Sequence, residues 1–153
     1  MFASAQRWEV KGKQYLDYPL KYYCEDPGLR NARLDFRDVE PSHMLENVIF
    51  NELLLRGCQV DVGVVPIGDK RHEIDFVVNR APGKLYIQVA YELPNEAKRE
   101  QEMLPLRKCD DFFRKMIVVG GYTPLHYTSD GIIEVGAIPF LLDASILDKA
   151  LAD

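Results

Sequence analysis

Glu73 to Glu92, EIDFVVNRAPGKLYIQVAYE, reads as two β-strands joined by a short turn. Ile74, Phe76 and Val78 alternate with Glu73, Asp75 and Val77. Leu85, Ile87, Val89 and Tyr91 likewise alternate with Tyr86, Gln88, Ala90 and Glu92, the period-two pattern of half-buried strands. Pro82-Gly83 is the natural turn centre, because Pro presets φ and Gly accepts positive φ. A turn centred there sets Ala81 opposite Lys84, Val77 opposite Gln88 and Asp75 opposite Ala90. Asp75 and Gln88 then become diagonal neighbours on one face, roughly 7 Å apart, near enough to share a metal ion or a substrate. A loop one residue longer on either side would part their faces.

Around this hairpin the 153 residues suffice for one compact domain with a core of its own. With 47% hydrophobic and 28% charged residues the composition is that of a soluble globular protein. No apolar run approaches the ~20 residues of a membrane span, and the N-terminus lacks a signal-peptide layout. These features point to the cytoplasm and to no membrane partner. A net charge of −5 argues against a protein that coats nucleic acid generally, while leaving room for a local basic patch. Cys24, Cys58 and Cys109 are odd in number and widely separated, as are His43, His72 and His126, so neither a disulfide frame nor a zinc or histidine cage is indicated.

Upstream, Trp8-Glu9-Val10, a Lys11-Gly12-Lys13 turn and Gln14-Tyr15-Leu16 suggest a small hairpin, followed by a short strand at Lys21–Cys24. Two short strands cannot fold alone in water, so this piece must lean on the main domain or on further sequence. Asp26-Pro27-Gly28 leads into a short helix over 29–34, and 37–41 reads as a linker. Arg7, Lys11, Lys13 and Lys21 lie near Trp8, Tyr15, Tyr22 and Tyr23, a mixture that suits either a nucleic-acid contact surface or a solvated hairpin with inward aromatics.

Residues 42–56 are strongly helical, with Ser42 as N-cap and Gly57 as stop. At ~100° per residue, Leu45, Ile49, Phe50, Leu53 and Leu54 cover one half of the helix, and Glu46 falls in the middle of that arc. A buried, unpaired carboxylate is costly, so Glu46 must meet a partner, hold a metal or take a proton. Glu52, at the edge of the stripe, needs no such account. Residues 59–65 form the next strand. Gly63 to Lys70 is no phosphate loop, since Asp69 intervenes between Gly68 and Lys70 and Arg71 stands where Ser or Thr is needed. Beyond the hairpin, Pro94-Asn95 opens a charged helix that Pro105 should kink or interrupt. A strand at 115–119, an exposed loop at 122–129, a strand at 132–135 and a closing helix over 138–151 complete the reading.

The order helix, strand, strand, strand, helix, strand, with a carboxylate on the first helix and Asp75 in the second strand, resembles the α/β restriction-endonuclease-like or PD-(D/E)xK fold. More narrowly, LENVIFNELLLRG, EIDFVV, LYIQVAYEL and RE...LPL, together with the N-terminal RWEVKGKQYLDYPLKYYCEDPGLRNA, resemble the C-terminal domain of unknown function that closes many prokaryotic AAA-type ATPases. The resemblance covers residues 7 to 142. It implies that 1–36 is the hairpin or wing remnant of a preceding winged-helix segment and that 37–153 is the nuclease-like domain. It also implies that the ATP-binding part lies outside this chain, the start at Met1 falling inside the wing.

In that superfamily the helical acid, the strand Asp and a Glu/Gln-x-Lys on the next strand surround magnesium. Onto this chain the pattern falls as Glu46, Asp75 and Gln88-Val89-Ala90, the candidate catalytic residues and magnesium ligands. The departure is Ala90, which stands where an active nuclease shows lysine. Losing one preorganised charge typically costs about 10²- to 10³-fold in rate. Lys84, Lys98 and Lys108 are the candidates for a displaced cation. Three readings stay open: a degenerate accessory module of the ATPase that binds DNA or docks on the ATPase domain, a magnesium-dependent DNA endonuclease with a displaced lysine, and a structural or oligomerisation module whose polar residues hold no ligand. The first expects no enzymatic activity from this chain, and a second copy of the chain stays open as a partner.

Overall fold

The computed structural model describes residues 1–37, 39–81 and 83–152. The chain runs β1 (Phe2–Ala5), β2 (Arg7–Glu9), β3 (Gln14–Tyr15), β4 (Lys21–Cys24), α1 (Pro27–Arg33), α2 (Pro41–Leu55), β5 (Gln59–Ile67), β6 (Lys70–Arg80), β7 (Gly83–Ala90), α3 (Glu96–Arg107), β8 (Arg114–Val119), β9 (His126–Tyr127), β10 (Ile133–Gly136), α4 (Ala137–Leu142) and α5 (Ile146–Leu151). A mixed sheet of order β3-β2-β5-β6-β7-β8-β10-β9 dominates, and β1 and β4 form a separate antiparallel pair. The protein is thus α/β, with one large mixed sheet and several helices.

β5, β6 and β7 are an antiparallel meander. A parallel neighbour requires a crossover, and α3 supplies it, bringing β8 alongside β7. Central strands covered on both faces read as near-continuous apolar runs, and Leu85, Tyr86 and Ile87 are all buried. On one face Phe76, Val78, Leu85, Ile87, Met116 and Val118 pack with Ile49, Phe50 and Leu53 of α2 and with Phe140 and Leu147. On the other, Val77, Tyr86, Ala90 and Ile117 meet Met103 and Leu106 of α3. No helix among the described residues is long and apolar enough to cross a membrane.

The N-terminal segment joins this framework directly. β2 lies parallel to β5, with Trp8 paired to Gly63, and β3 lies outside it. Tyr23 of β4 stacks on Phe50 with ring centroids 3.9 Å apart.

Several expectations from the sequence need correction. The hairpin register differs by two residues: Arg80 pairs with Gly83 and Val77 with Tyr86, because Gly83 is already a strand residue. Pro82, the other half of the expected turn centre, lies outside the described residues. Strict alternation along β6 also fails, since a register shift opposite Asp61–Gly63 gives β6 an extra residue between Ile74 and Val77. Ile74 and Val77 consequently share the α3 face while Phe76 takes the α2 face.

At α2, Pro41 occupies the first turn, where its missing N–H costs nothing, so the cap is Glu40 rather than Ser42 and makes no side-chain cap bond. Leu54, placed in the apolar arc, is exposed. α3 opens on Asn95, whose side chain accepts from Lys98 N, and runs through Pro105 to Arg107 with Pro105 buried in its last turn. The loop at 122–129 contains β9, which pairs with β10. The closing helix is two: Asp143 Oδ1 accepts from Ser145 N at 2.9 Å and Ser145 Oγ at 2.6 Å, a local turn that competes with helix.

Candidate functional site

The extra residue in β6 is what positions Asp75. A β-bulge bends its strand and re-aims a side chain, and the main-chain ladder between β6 and β7 ends at Phe76 and Ile87. One step beyond, Asp75 Oδ2 accepts from Val89 N at 2.8 Å. The carboxylate therefore substitutes for a main-chain partner at the seam where the strands part.

Glu46 approaches from α2. Its Oε1 accepts from the Tyr23 hydroxyl at 2.7 Å and from Lys21 Nζ at 2.7 Å, so the expected partners come from β4. Lys21 Nζ also lies 3.7 Å from Glu73 Oε2, and Arg7 Nε is 2.9 Å from Glu73 Oε1. Glu52, as expected, is engaged structurally, accepting from Arg56 Nε at 2.7 Å.

Gln88 is buried and engages α3 instead. Its Nε2 donates to Glu102 Oε2 at 3.0 Å, and Glu102 Oε1 holds Lys98 Nζ at 2.5 Å. The Gln88 Oε1 atom is buried without a hydrogen-bond partner. Such an orphan acceptor typically costs ~1–3 kcal/mol.

Electrostatics link these groups. Burial first, then the Glu46 carboxylate, raise the Asp75 pKa to about 7, against the opposing pull of Val89 N–H and Lys21. Burial, the largest single influence, tends to lower the Lys21 pKa, but the carboxylates of Glu46, Asp75 and Glu73 together outweigh it and the net shift is upward. Burial and Glu46 likewise hold the Tyr23 hydroxyl protonated well above its ordinary range.

Of the three residues singled out from the sequence, Glu46 and Asp75 are thus electrostatically coupled, while the Gln88 amide pairs with Glu102 rather than with either. Asp75, Glu46 and the free amide oxygen of Gln88 are hard oxygen donors of the kind magnesium takes, and the orphan Oε1 fits a cation. The set is sparse, however: among the described residues no group of three or more His, Cys, Asp or Glu could hold a metal ion.

Ala90 is buried in the α3-side core. Of the lysines suggested to replace its missing charge, Lys98 is held by Glu102, Lys84 lies 4.4 Å from the Trp8 ring centroid, and Lys108 caps the C-terminal end of α3. The cation beside the carboxylates is Lys21, which the sequence reading missed; alternation in KYYC places it on the Tyr23 side of β4, but nothing local names its partner. Trp8 packs edge-on against Tyr15 at 4.9 Å, so part of the basic and aromatic surface read from the N-terminal segment is engaged within the protein.

Fold and geometry together define an α/β domain with a carboxylate-centred polar cluster at a bulged seam of its sheet. Over 142 residues the chain is 34% identical to an uncharacterized protein of Haemophilus influenzae, a match covering 93% of this chain and 34% of that protein. The chain therefore spans about a third of the relative's length. No family model matches the chain. No solved structure matches it.

Proposed function

We propose that this chain is a restriction-endonuclease-like module of a AAA-type ATPase, with its nuclease chemistry weakened or lost, that binds DNA for the larger protein. The observation that carries the reading is Asp75, aimed by a bulge into the end of the β6–β7 seam, with Glu46 coupled to it and the Gln88 oxygen unpartnered. The order α2-β5-β6-β7-α3-β8 supports it, as does a relative that carries this region within a much longer chain.

Magnesium, when bound, would polarise a phosphodiester and activate water, and Asp75, Gln88 and Glu46 are the residues that would hold it. The chain's own part is limited by charge. Ala90 offers no cation, and Lys98 and Lys21 are each committed to a carboxylate.

Duplex DNA binding should weaken steeply as salt rises from about 50 to 200 mM, because phosphate contacts release counterions. Supercoiled plasmid incubated with Mn²⁺ should be nicked no faster by the wild type than by Asp75→Ala. Failure to bind DNA at low salt would overturn the DNA-binding role and leave docking on the ATPase or a structural network. Nicking that Asp75→Ala abolishes would instead establish the second reading, a metal-dependent endonuclease. The observation favouring that reading is Lys21, a cation brought to the cluster from outside the usual strand.

A further inference from the structure

We propose that the phosphate backbone of duplex DNA seats in the groove at the tip of the β6–β7 hairpin, around Lys84, an inference that rests on the DNA-binding reading above.

A phosphate contact needs a cation that is accessible and not already neutralised. Most cations around the sheet fail that requirement. Lys21 and Arg7 face Glu46 and Glu73, and Lys98 faces Glu102. On α3, Arg99 is held by both oxygens of Glu134, and Arg107 is paired with Glu100 and Asp130. Lys84 differs from all of these. Half-buried, it makes no ion pair among the described residues, and its Nζ rests 4.4 Å from the Trp8 ring centroid. Cation–π attraction holds an ammonium in place over the ring and leaves its charge uncancelled.

Lys84 lines a groove of about 460 Å³ together with Gln59, Asn79, Arg80 and Phe113, around Ala81 and Gly83 of the tip. The lining offers two cations and two amides and no carboxylate, in a chain whose net charge is −5. Such a lining is complementary in charge to a polyanion. Asp61, the carboxylate that Asn79 touches, accepts from Asn79 Nδ2 at 3.0 Å and from the Tyr15 hydroxyl at 3.2 Å.

Arg80 pairs with Asp148 at 2.9 Å, and the Asp148 side chain is 62% exposed. A surface pair of this kind is worth little, so a phosphate can take the aspartate's place. Arg114, next to Phe113 in the chain and opposite Leu85 in the sheet, donates to the Ala152 carbonyl at 3.2 Å. Arg80 and Arg114 thus supply further positive charge around Lys84.

The groove is also separate from the carboxylate cluster. Asp75 and Arg80 lie on one strand, β6, and the stretch between them spans about 17 Å at ~3.3 Å per residue. A DNA strand seated at the tip reaches the Asp75 seam some five nucleotides on, at about 3.4 Å each. Backbone anchoring at Lys84 therefore does not draw on the acids of that seam.

Trp8 is the single tryptophan of the chain, so its emission reports on the Lys84 ammonium. The full chain is titrated with a labelled duplex of about 20 base pairs at about 50 to 200 mM salt, read by duplex anisotropy and by Trp8 fluorescence. Both signals should change together and give one Kd. Lys84→Gln should bind about three- to tenfold more weakly, flatten the slope of log K against log salt by about 1, and lose the Trp8 response. Lys84→Arg should keep the wild-type slope. Lys70→Gln, which removes an exposed charge at the other end of β6, should bind as the wild type does. Unchanged affinity in Lys84→Gln, an equal loss in Lys70→Gln, or binding that leaves Trp8 silent would overturn the groove while leaving the DNA-binding reading intact. Failure of the wild type to bind the duplex at about 50 mM salt would overturn both. Should circular dichroism show Lys84→Gln unfolded, the wild-type titration decides alone: a Trp8 response that tracks the anisotropy supports the groove, and a silent Trp8 overturns it.

Discussion

Asp75→Asn is expected to be more stable than the wild type at pH 8, by about 2 kcal/mol, and indistinguishable from it at pH 4. Folding moves this carboxyl from an ordinary value of 3.8 to about 7, chiefly by burial and then by Glu46. A group whose pKa is raised in the folded state contributes stability that is full below its unfolded value and lost as pH rises through the folded one. The penalty thus develops between about pH 4 and pH 7 and stays constant above. The full shift corresponds to about 4 kcal/mol, and coupling to Glu46 and Lys21 reduces what a single substitution recovers. Asparagine keeps an acceptor for Val89 N–H while carrying no charge, so it escapes the penalty. Urea unfolding at pH 4, 6 and 8 checks the result. A variant less stable than the wild type at pH 8 would mean that the ionised carboxylate is compensated in solution, contrary to the environment described.

Phe50→Ala carries the largest expected cost, about 4 kcal/mol. Its ring is fully buried, stacked on Tyr23 at 3.9 Å and 5.8 Å from Phe76, and it therefore joins α2, β4 and the central strand at one point. Truncation leaves a cavity that three elements would have to collapse into. It also frees the Tyr23 ring, whose hydroxyl holds Glu46, so lost stability should come with altered Mn²⁺ binding. A loss under about 1.5 kcal/mol in urea unfolding, the range of a conservative core swap, would show that β4 does not pack where the ring stack places it.

The strands of the central hairpin were legible because their alternation is strong, and Glu46 was legible because a carboxylate in an apolar arc demands an explanation. The bulge was not, since Glu73 to Phe76 alternates cleanly and Val77-Val78 reads equally well as the start of a strand buried on both faces. Its trace lay in the partner strand: Gly63 stands in the middle of an otherwise β-branched run, and glycine inside a strand often marks a bulge or a close approach. A Cβ added there would lie 3.0 Å from Ile74 Cβ and 3.1 Å from Val77 Cγ2, the two residues the bulge brings to the same face. Lys21 was illegible for a different reason. Ion pairing between distant segments leaves no periodic mark, and the short lysine-bearing strand gave no sign of which helix it would cross. The break in the closing helix was missed, although Asp143 and Ser145, whose side chains favour turns, mark it.

The parallel pairing of β2 with β5 also matters for handling the molecule. β5 is nine residues long, its Val62, Val64 and Val65 are buried, and Trp8 and its neighbours pair with its middle, at Val62, Gly63 and Val64, on the outer side. A version trimmed to residue 37 onward would bare this valine-rich margin, and an unpaired strand edge can template the addition of strands from other molecules. A piece for crystallisation or binding work should therefore keep its first thirty-six residues, whose tryptophan-bearing strand covers that margin.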